Sequence, residues 1–241
     1  VTSHIKMCQI CNRLKNSSRK PTAPLVDYRV GNPMDRIAID IMGPLPITKN
    51  KNRYLLVIGD YFTRWMEVYP IPHQNADIIA EKLVQEFIAR FGAPLEIHTD
   101  QGRNFESQLF AEVCKLLEIS KTRTTAYHPS SNGMIERFNR TLAGMIKSFI
   151  NSNANNWDLY INLLLSAYRS SPHPATGHTP NFMMLGREIN ISSSILFPFP
   201  KEKDYDNEDQ YITRLRAKMM EVYSIARNHL KSYAERQKRD H

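Results

Sequence analysis

Apolar residues recur along this chain with two periods, and the positions of the two patterns predict a mixed order of strands and helices. Runs rich in β-branched and aromatic residues predict strands at 36–42, 54–59, 65–71, 95–99 and 119–125. Apolar steps of three and four residues predict helices at 75–91, 107–117, 131–150 and 157–168, and a short helix at 179–186. Short connections between the first three strands favour an antiparallel meander. The sequence therefore predicts an α/β fold with a mixed five-stranded sheet covered by helices on both faces.

The predicted helices differ in their apolar faces and end signals. Asn75 is expected to cap the first helix, and Thr179 with Pro180 is expected to begin the last of them. The helix at 157–168 is apolar nearly all round, so we expect it to be buried. The apolar stripes lie at Leu109, Val113 and Leu116 in the second helix, and at Ile135, Phe138, Leu142, Met145 and Phe149 in the third.

Composition shifts divide the chain into four parts. Residues 1–22 are basic and end in a linker, 23–187 form the folded core, 188–203 are a second linker, and 204–241 form a basic amphipathic helix. Ile212, Leu215, Met219, Val222 and Ile225 make the stripe of that helix. We expect this stripe to dock on the core or to support a multimer, rather than to bind lipid, because it is narrow and its flanking charges are mixed.

Composition and charge narrow the classes of function. The 241 residues are 41% hydrophobic and 23% charged, which excludes a disordered chain. Three cysteines give no even disulfide framework, and no apolar run is long enough for a membrane span. The chain begins at Val1, so we expect it to be an internal piece of a longer protein. The formal net charge of +8 favours a polyanionic partner, either nucleic acid or anionic lipid.

Three acids fall where the predicted fold would bring them together. Asp40 lies inside the first strand, Asp100 follows the fourth, and Glu136 sits beside the buried stripe of the 131–150 helix. If the first and fourth strands are neighbours, the two aspartates lie at one end of the sheet. Clustered carboxylates raise each other's pKa unless a cation is present, and magnesium prefers such oxygen ligands. A solvated surface charge is the alternative interpretation for each acid taken singly.

Three longer sequence motifs contain these acids. They are Ile39-Asp-Ile-Met-Gly-Pro44, His98-Thr-Asp-Gln-Gly-Arg-Asn-Phe105 and Tyr127-His-Pro-Ser-Ser-Asn-Gly-Met-Ile-Glu-Arg-Phe-Asn-Arg140. These motifs, with 35 residues between Asp100 and Glu136, resemble those of the catalytic core of retroviral-type integrases. The likeness is strongest to integrases of gypsy-type long-terminal-repeat retrotransposons, and it runs from about residue 6 to about residue 190.

This resemblance implies an RNase H-like fold and a polynucleotidyl transferase. It implies that Asp40, Asp100 and Glu136 are catalytic and hold two Mg²⁺ or Mn²⁺ ions. The implied reaction is processing of the 3′ ends of element DNA, followed by strand transfer into target DNA. Asp60 matches a recurrent acid to which the family assigns no metal, so we expect a structural role. The alternatives are a domesticated, non-catalytic nucleic-acid-binding relative, and a nuclease or transposase of the same fold.

The resemblance also implies residues that contact DNA. They are Arg140 and Lys147 on one flank of the 131–150 helix, and His128, Asn132 and Gly133 before it. Gly133 is expected to precede the helix with a positive φ and to let the backbone approach DNA. A solvated helix flank, a stiffened loop and a simple helix start are the respective alternatives.

Four further positions carry ligand-type side chains. Cys8 and Cys11 have the spacing of half a zinc site. The resemblance implies that residues 1–22 are the trailing half of a zinc-binding domain plus a linker, and that Zn²⁺ binds only in a longer parent chain with an upstream histidine pair. His98 and Cys114 are expected to pack in the core.

The resemblance finally implies partners and a location. The partners are element and target DNA, further copies of the same chain, and chromatin proteins that bind a C-terminal region outside this sequence. No membrane partner is expected. The implied location is the nucleus, after a stage in a cytoplasmic particle.

Overall fold

The computed structural model describes residues 31–124, 133–149, 155–190 and 208–240. Within these residues, five strands form one sheet in the order β3-β2-β1-β4-β5. The strands are β1 (Arg36–Met42), β2 (Tyr54–Asp60), β3 (Met66–Ile71), β4 (Glu96–Thr99) and β5 (Ser120–Arg123). The first three pair antiparallel, and β4 and β5 continue the sheet in parallel. The predicted mixed sheet is confirmed.

The helices occupy the predicted segments. Helix α1 (76–91) runs through Ala76–Glu81, a π-helical stretch at Lys82–Ile88, and Ala89–Phe91. It is followed by α2 (Gln108–Leu116), α3 (Gly133–Phe149), a 3₁₀ turn (Trp157–Leu159) that leads into α4 (Ile161–Arg169), α5 (Pro180–Leu185) and α6 (Glu208–Asp240). The Thr179 hydroxyl accepts a hydrogen bond from the amide of Phe182, as predicted for a cap. Asn75 occupies the N-cap position of α1, as predicted, but its side chain makes no capping hydrogen bond.

Alternation along β1 assigns its side chains to the two faces of the sheet. Ile37 and Ile39 belong to a core formed with α1 and α2. Ala38 belongs to the opposite core, formed with α3 and α4. Because side chains two residues apart in a strand lie on one face, Asp40 shares the face of Ala38 and therefore lies on the side covered by α3.

Two helices bury different residues from those that their patterns suggested. In α2 the buried residues are Phe110 and Cys114, whereas Leu109 and Leu116 are 44% and 82% exposed. The segment at 157–168 is not buried all round, because Leu163 is 59% exposed. It covers one face of the sheet, so only one side of the helix is removed from water.

Helix α6 docks on the core through its middle. Val222 and Ala226 are buried together with Phe62 and Met183, and the Tyr223 hydroxyl donates a hydrogen bond to the carbonyl oxygen of Met183. The predicted docking is confirmed, although Ile225 at the edge of the predicted stripe is 39% exposed. No helix among the described residues has the length and apolar character of a membrane span.

Candidate active site

Two aspartates lie side by side at one end of the sheet. Strands β1 and β4 are parallel, and their register pairs Ile39 with Thr99. Asp40 is the next residue of β1, and Asp100 directly follows the end of β4, so the two aspartates occupy matched positions along neighbouring strands. Neighbouring strands lie about 4.8 Å apart, which brings the two carboxyl groups into one site.

Helix α3 brings a third acid to the same end of the sheet. The Asn139 side-chain amide donates a hydrogen bond of 2.8 Å to Oδ2 of Asp40. Glu136 lies three residues before Asn139, and residues three apart on a helix share a face. Glu136 is exposed and lies in the first turn of α3. The hydrogen bond therefore fixes the Glu136 face of α3 against the end of β1.

The electrostatics of Asp40 show that the three acids interact. The pKa of Asp40 is raised to about 6, mainly by burial, and the charges of Asp100 and Glu136 also act to raise it. The hydrogen bonds that its carboxylate accepts from the Ile41 amide and from Asn139 act in the opposite direction. Asp100 and Glu136 therefore lie near enough to Asp40 to affect its pKa, and the hydrogen bonds only partly offset the effects of burial and of these two charges.

Asp100 is held by a short turn. Its Oδ1 accepts a hydrogen bond of 2.9 Å from the amide of Gly102, and a Cβ atom at Gly102 would lie 2.9 Å from that same oxygen. The position is therefore restricted to glycine as long as Asp100 keeps its orientation. The sequence analysis assigned no role to Gly102 or Asn139, although both lie inside the three motifs that contain the acids.

The three candidate ligands are carboxylates, which are the oxygen ligands that a hard divalent cation prefers. The protein compensates their negative charge only in part. Among the described residues, no three histidine, cysteine, aspartate or glutamate side chains form a group able to hold a metal ion. Both carboxylate oxygens of Asp40 and Oδ1 of Asp100 accept hydrogen bonds from protein donors.

Two other predicted groups have clear structural surroundings. Asp60 accepts hydrogen bonds from the Thr63 amide and hydroxyl and from the Met34 amide, and its burial raises its pKa to about 6. His98 is buried and lies 2.9 Å from the Thr122 hydroxyl through Nδ1. These contacts agree with the structural role expected for Asp60 and with the packing role expected for His98.

The predicted DNA-contacting residues are only partly described. Arg140 and Lys147 are both exposed on α3, as expected for a basic flank. Gly133 is the first residue of α3 rather than a residue before it, and it is not among the glycines with positive φ. That prediction is wrong, because the residue already has helical backbone. His128, Asn132, Cys8 and Cys11 lie outside the described residues.

Comparisons with known proteins show which sequences and structures this chain is similar to. The family model "Integrase core domain" matches residues 32–129, a range that includes Asp40 and Asp100 and ends before Glu136. The Retrovirus-related Pol polyprotein from transposon 412 of Drosophila melanogaster is 24% identical over all of this chain, which spans 19% of that protein. The Pol polyprotein of Radiation murine leukemia virus (strain Kaplan) is 34% identical over 87% of this chain, which spans 35% of it.

Solved structures share the fold. The HTLV-2 integrase catalytic core domain in complex with magnesium, in a trimeric form, superposes with a TM-score of 0.53 at 22% identity, over 65% of this chain and 99% of that one. A chain of the simian T-cell lymphotropic virus intasome, solved by cryo-EM in complex with PP2A regulatory subunit B56 gamma, superposes with a TM-score of 0.61 at 23% identity, over 83% of this chain and 69% of that one. The RNase H-like fold is therefore confirmed. Residues 32–129 thus match the integrase core domain model, and the chain is similar in sequence to Pol polyproteins of retroviruses and retrotransposons.

Proposed function

We propose that this chain is the catalytic part of a retrotransposon DNA integrase, a polynucleotidyl transferase that processes the 3′ ends of element DNA and joins them to target DNA. One observation carries the proposal. Asp40 and Asp100 occupy matched positions on parallel strands, and both Asp100 and Glu136 act on the pKa of Asp40. A site of this kind suits phosphoryl transfer, in which charge develops on the oxygens around phosphorus.

Asp40, Asp100 and Glu136 are the residues that would hold Mg²⁺ or Mn²⁺. Bound divalent cations stabilise the entering and leaving oxygens in this class of reaction. The protein's own contribution is positioning: Asn139 orients Asp40, and the Gly102 amide orients Asp100. Since the Asp40 pKa is about 6, this carboxyl loses its proton close to neutral pH and then adds to the negative charge of the site.

The proposed substrate is DNA, and the proposed assembly is a multimer on two DNA ends. Support comes from the net charge of +8 and from the exposed Arg140 and Lys147, which extend along α3 from Glu136. The related solved structures include trimeric and dimeric core domains and an intasome. We place the reaction in the nucleus, where target DNA is found.

A second candidate function is a non-catalytic nucleic-acid-binding relative. It is favoured by one observation: both oxygens of Asp40 and one oxygen of Asp100 already accept hydrogen bonds from protein donors. In this case the three acids would be a remnant of the fold, while the basic surface would still bind DNA.

Joining assays distinguish the two functions. The chain is incubated with Mn²⁺ and duplex oligonucleotides that carry the element's end sequences, and nicked and joined products are separated on denaturing gels. We expect products from the wild type and a loss of at least about 100-fold in Glu136→Gln, because a charged metal ligand is removed. Glu81→Gln, a change at an exposed glutamate of α1, is the matched control.

Binding of the same oligonucleotides is measured in parallel. Glu136→Gln should keep salt-sensitive DNA binding, since the substitution removes a negative charge and no phosphate contact. Wild-type binding without nicking or joining would favour the non-catalytic relative. Equal joining by wild type and Glu136→Gln would contradict the assignment of the site.

A further inference from the structure

A cavity of about 350 Å³ opens beside α3, next to the acidic site but on another flank of the helix. It is bounded by the turn between β2 and β3, the first half of α3, the end of α4 with the segment after it, and α6. Its polar and aromatic lining includes Arg64, Arg137, His173, Phe138, Tyr168 and Tyr233. None of the described residues that line it is acidic. The cavity is therefore cationic and partly aromatic.

Arg64 is held at this cavity without an acidic partner among the described residues. Its Nε atom is buried and has no hydrogen-bond acceptor. Burial lowers the pKa of the guanidinium, and the charge of Arg137 lowers it further. Asp60 lies close enough to affect that pKa, but its oxygens already accept hydrogen bonds from Thr63 and Met34. A buried donor of this kind is stabilised by any acceptor that enters the cavity.

The backbone and side chains around Arg64 keep it in place. It has a positive φ of 62° in the turn after β2, and its amide donates a hydrogen bond to the Asp60 carbonyl oxygen. Its own carbonyl oxygen accepts a hydrogen bond from the Tyr168 hydroxyl. These contacts therefore fix the backbone of Arg64, and its side chain lines the cavity.

Arg137 adds a second guanidinium near the start of α3. It follows Glu136 directly, and its Nη1 atom lies 3.2 Å from the Cβ position built at Gly133, the first residue of the helix. Met134, in the first turn, also lines the cavity. The N-terminal end of a helix carries a partial positive charge, so an arginine there is disfavoured unless an anion is close.

We propose that this cavity binds a phosphate group between Arg64 and Arg137. Guanidinium groups match the geometry of phosphate oxygens, and two of them near a helix N-terminus suit its multiple charge. The rings of Phe138 and Tyr168 pack edge to face, with centroids 4.9 Å apart, and form an apolar part of the cavity wall. The phosphate comes either from a DNA strand that crosses the acidic site, which rests on the proposed function, or from a free phosphate compound.

The first experiment measures binding without divalent cations, in EDTA, so that it does not depend on catalysis. A fluorescent duplex oligonucleotide is titrated with the full chain at several salt concentrations. Arg137→Gln and Arg64→Gln should each weaken binding at least fivefold and reduce the salt slope by about one. Arg216→Gln, a change at an exposed arginine of α6, removes the same charge elsewhere and should change affinity less than twofold.

The second experiment tests the free source. Inorganic phosphate and pyrophosphate are added to wild type and variants, and thermal unfolding is followed. A rise in the melting temperature of the wild type that is absent in both variants assigns the cavity to free phosphate compounds. Oligonucleotide binding that depends on the two arginines, without this rise, assigns it to DNA.

The proposal is overturned if Arg137→Gln binds the oligonucleotide as the wild type does and responds equally to phosphate and pyrophosphate. Arg137 is exposed, so we expect Arg137→Gln to keep the fold. This variant therefore tests phosphate binding even if Arg64→Gln is unstable. The result is separate from the fate of the proposed function. A chain that joins no DNA but loses phosphate binding in Arg137→Gln would contradict the integrase proposal alone.

Discussion

The side-chain amide of Asn139 donates a 2.8 Å hydrogen bond to Asp40, joining residues 99 positions apart in the sequence. This bond lowers the pKa of Asp40 against the larger effect of burial. Asn139→Leu removes the donor and should raise the Asp40 pKa above about 6. The acidic limb of the pH profile for Mn²⁺-dependent joining should therefore move to higher pH.

The control for this prediction is Ser148→Ala, which removes an exposed hydroxyl that bonds the Gly144 carbonyl oxygen on the same helix. It should leave the pH profile unchanged. An Asn139→Leu profile that falls uniformly at every pH, with no displacement of its acidic limb, would show that Asn139 does not act through Asp40.

Gly102 should be intolerant of a side chain. In Gly102→Ala the new Cβ atom would meet Oδ1 of Asp100 at 2.9 Å, so the carboxylate must move. We expect joining to fall at least about tenfold, because misplacement of a positioned catalytic group is costly. Thermal unfolding should change by only a few degrees, since the substitution lies outside the core.

Gly144→Ala is the matched control for Gly102→Ala. Nothing lies within 4 Å of a Cβ atom at Gly144, and the residue lies inside α3. It should keep joining activity and raise the free energy of unfolding by about 0.5–1 kcal/mol, because alanine favours helix over glycine. Equal activity in both variants would contradict the assigned role of Gly102.

Asp60 should make the stability of the protein depend on pH. Its pKa is raised from 3.8 to about 6 in the folded state, so the folded protein holds this proton more tightly than the unfolded chain does. Its contribution to stability is then fully present below pH 3.8 and is lost as the pH rises through about 6. At about 1.4 kcal/mol per pKa unit, the change is on the order of 3 kcal/mol.

Urea unfolding of wild type and Asp60→Asn at pH 4.5 and pH 7 measures this effect. The variant loses hydrogen bonds at both pH values, so only the difference between the two pH values is informative. That difference should be smaller in Asp60→Asn. The same pH dependence in both proteins would show that Asp60 has an ordinary pKa.

Docking of α6 should depend on Ala226 and not on its neighbour. Ala226 is fully buried against the core, whereas Ile225 is 39% exposed. Ala226→Asp places a charge in an apolar contact and should cost about 2–4 kcal/mol, with α6 becoming the first site of limited proteolysis. Ile225→Asp should leave the cleavage pattern unchanged. Equal protection of α6 in both variants would contradict docking through this face.

The sequence predicted the elements better than the faces they bury. A β-branched run with turn residues after it defined β1 with its observed bounds, Arg36–Met42. In α2, however, the Leu109 stripe and the pair Phe110 and Cys114 both fit helical spacing, and only tertiary packing decides which one faces the sheet. The helix at 157–168 was expected to be buried because it is apolar nearly all round, although Leu163 in it is exposed.

The site could be predicted as far as it depends on local sequence motifs and on which strands are adjacent in the sheet. Asp40 and Asp100 could be placed together once β1 and β4 were assumed to be adjacent, which the register confirms. The role of Asn139 was missed because a single polar residue in a helix gives no periodic signal, and its partner lies in another element. The Arg64 cavity was missed for a similar reason, since it forms from turns and helices that are distant in sequence.

The pairing of β1 with β4 has a consequence for how this protein would lose activity. Because main-chain hydrogen bonds between the two strands set the spacing of Asp40 and Asp100, that distance cannot be relaxed gradually by replacing side chains in the surrounding core. Weakening the core would instead lower the fraction of molecules that are folded, while each folded molecule kept the full turnover rate.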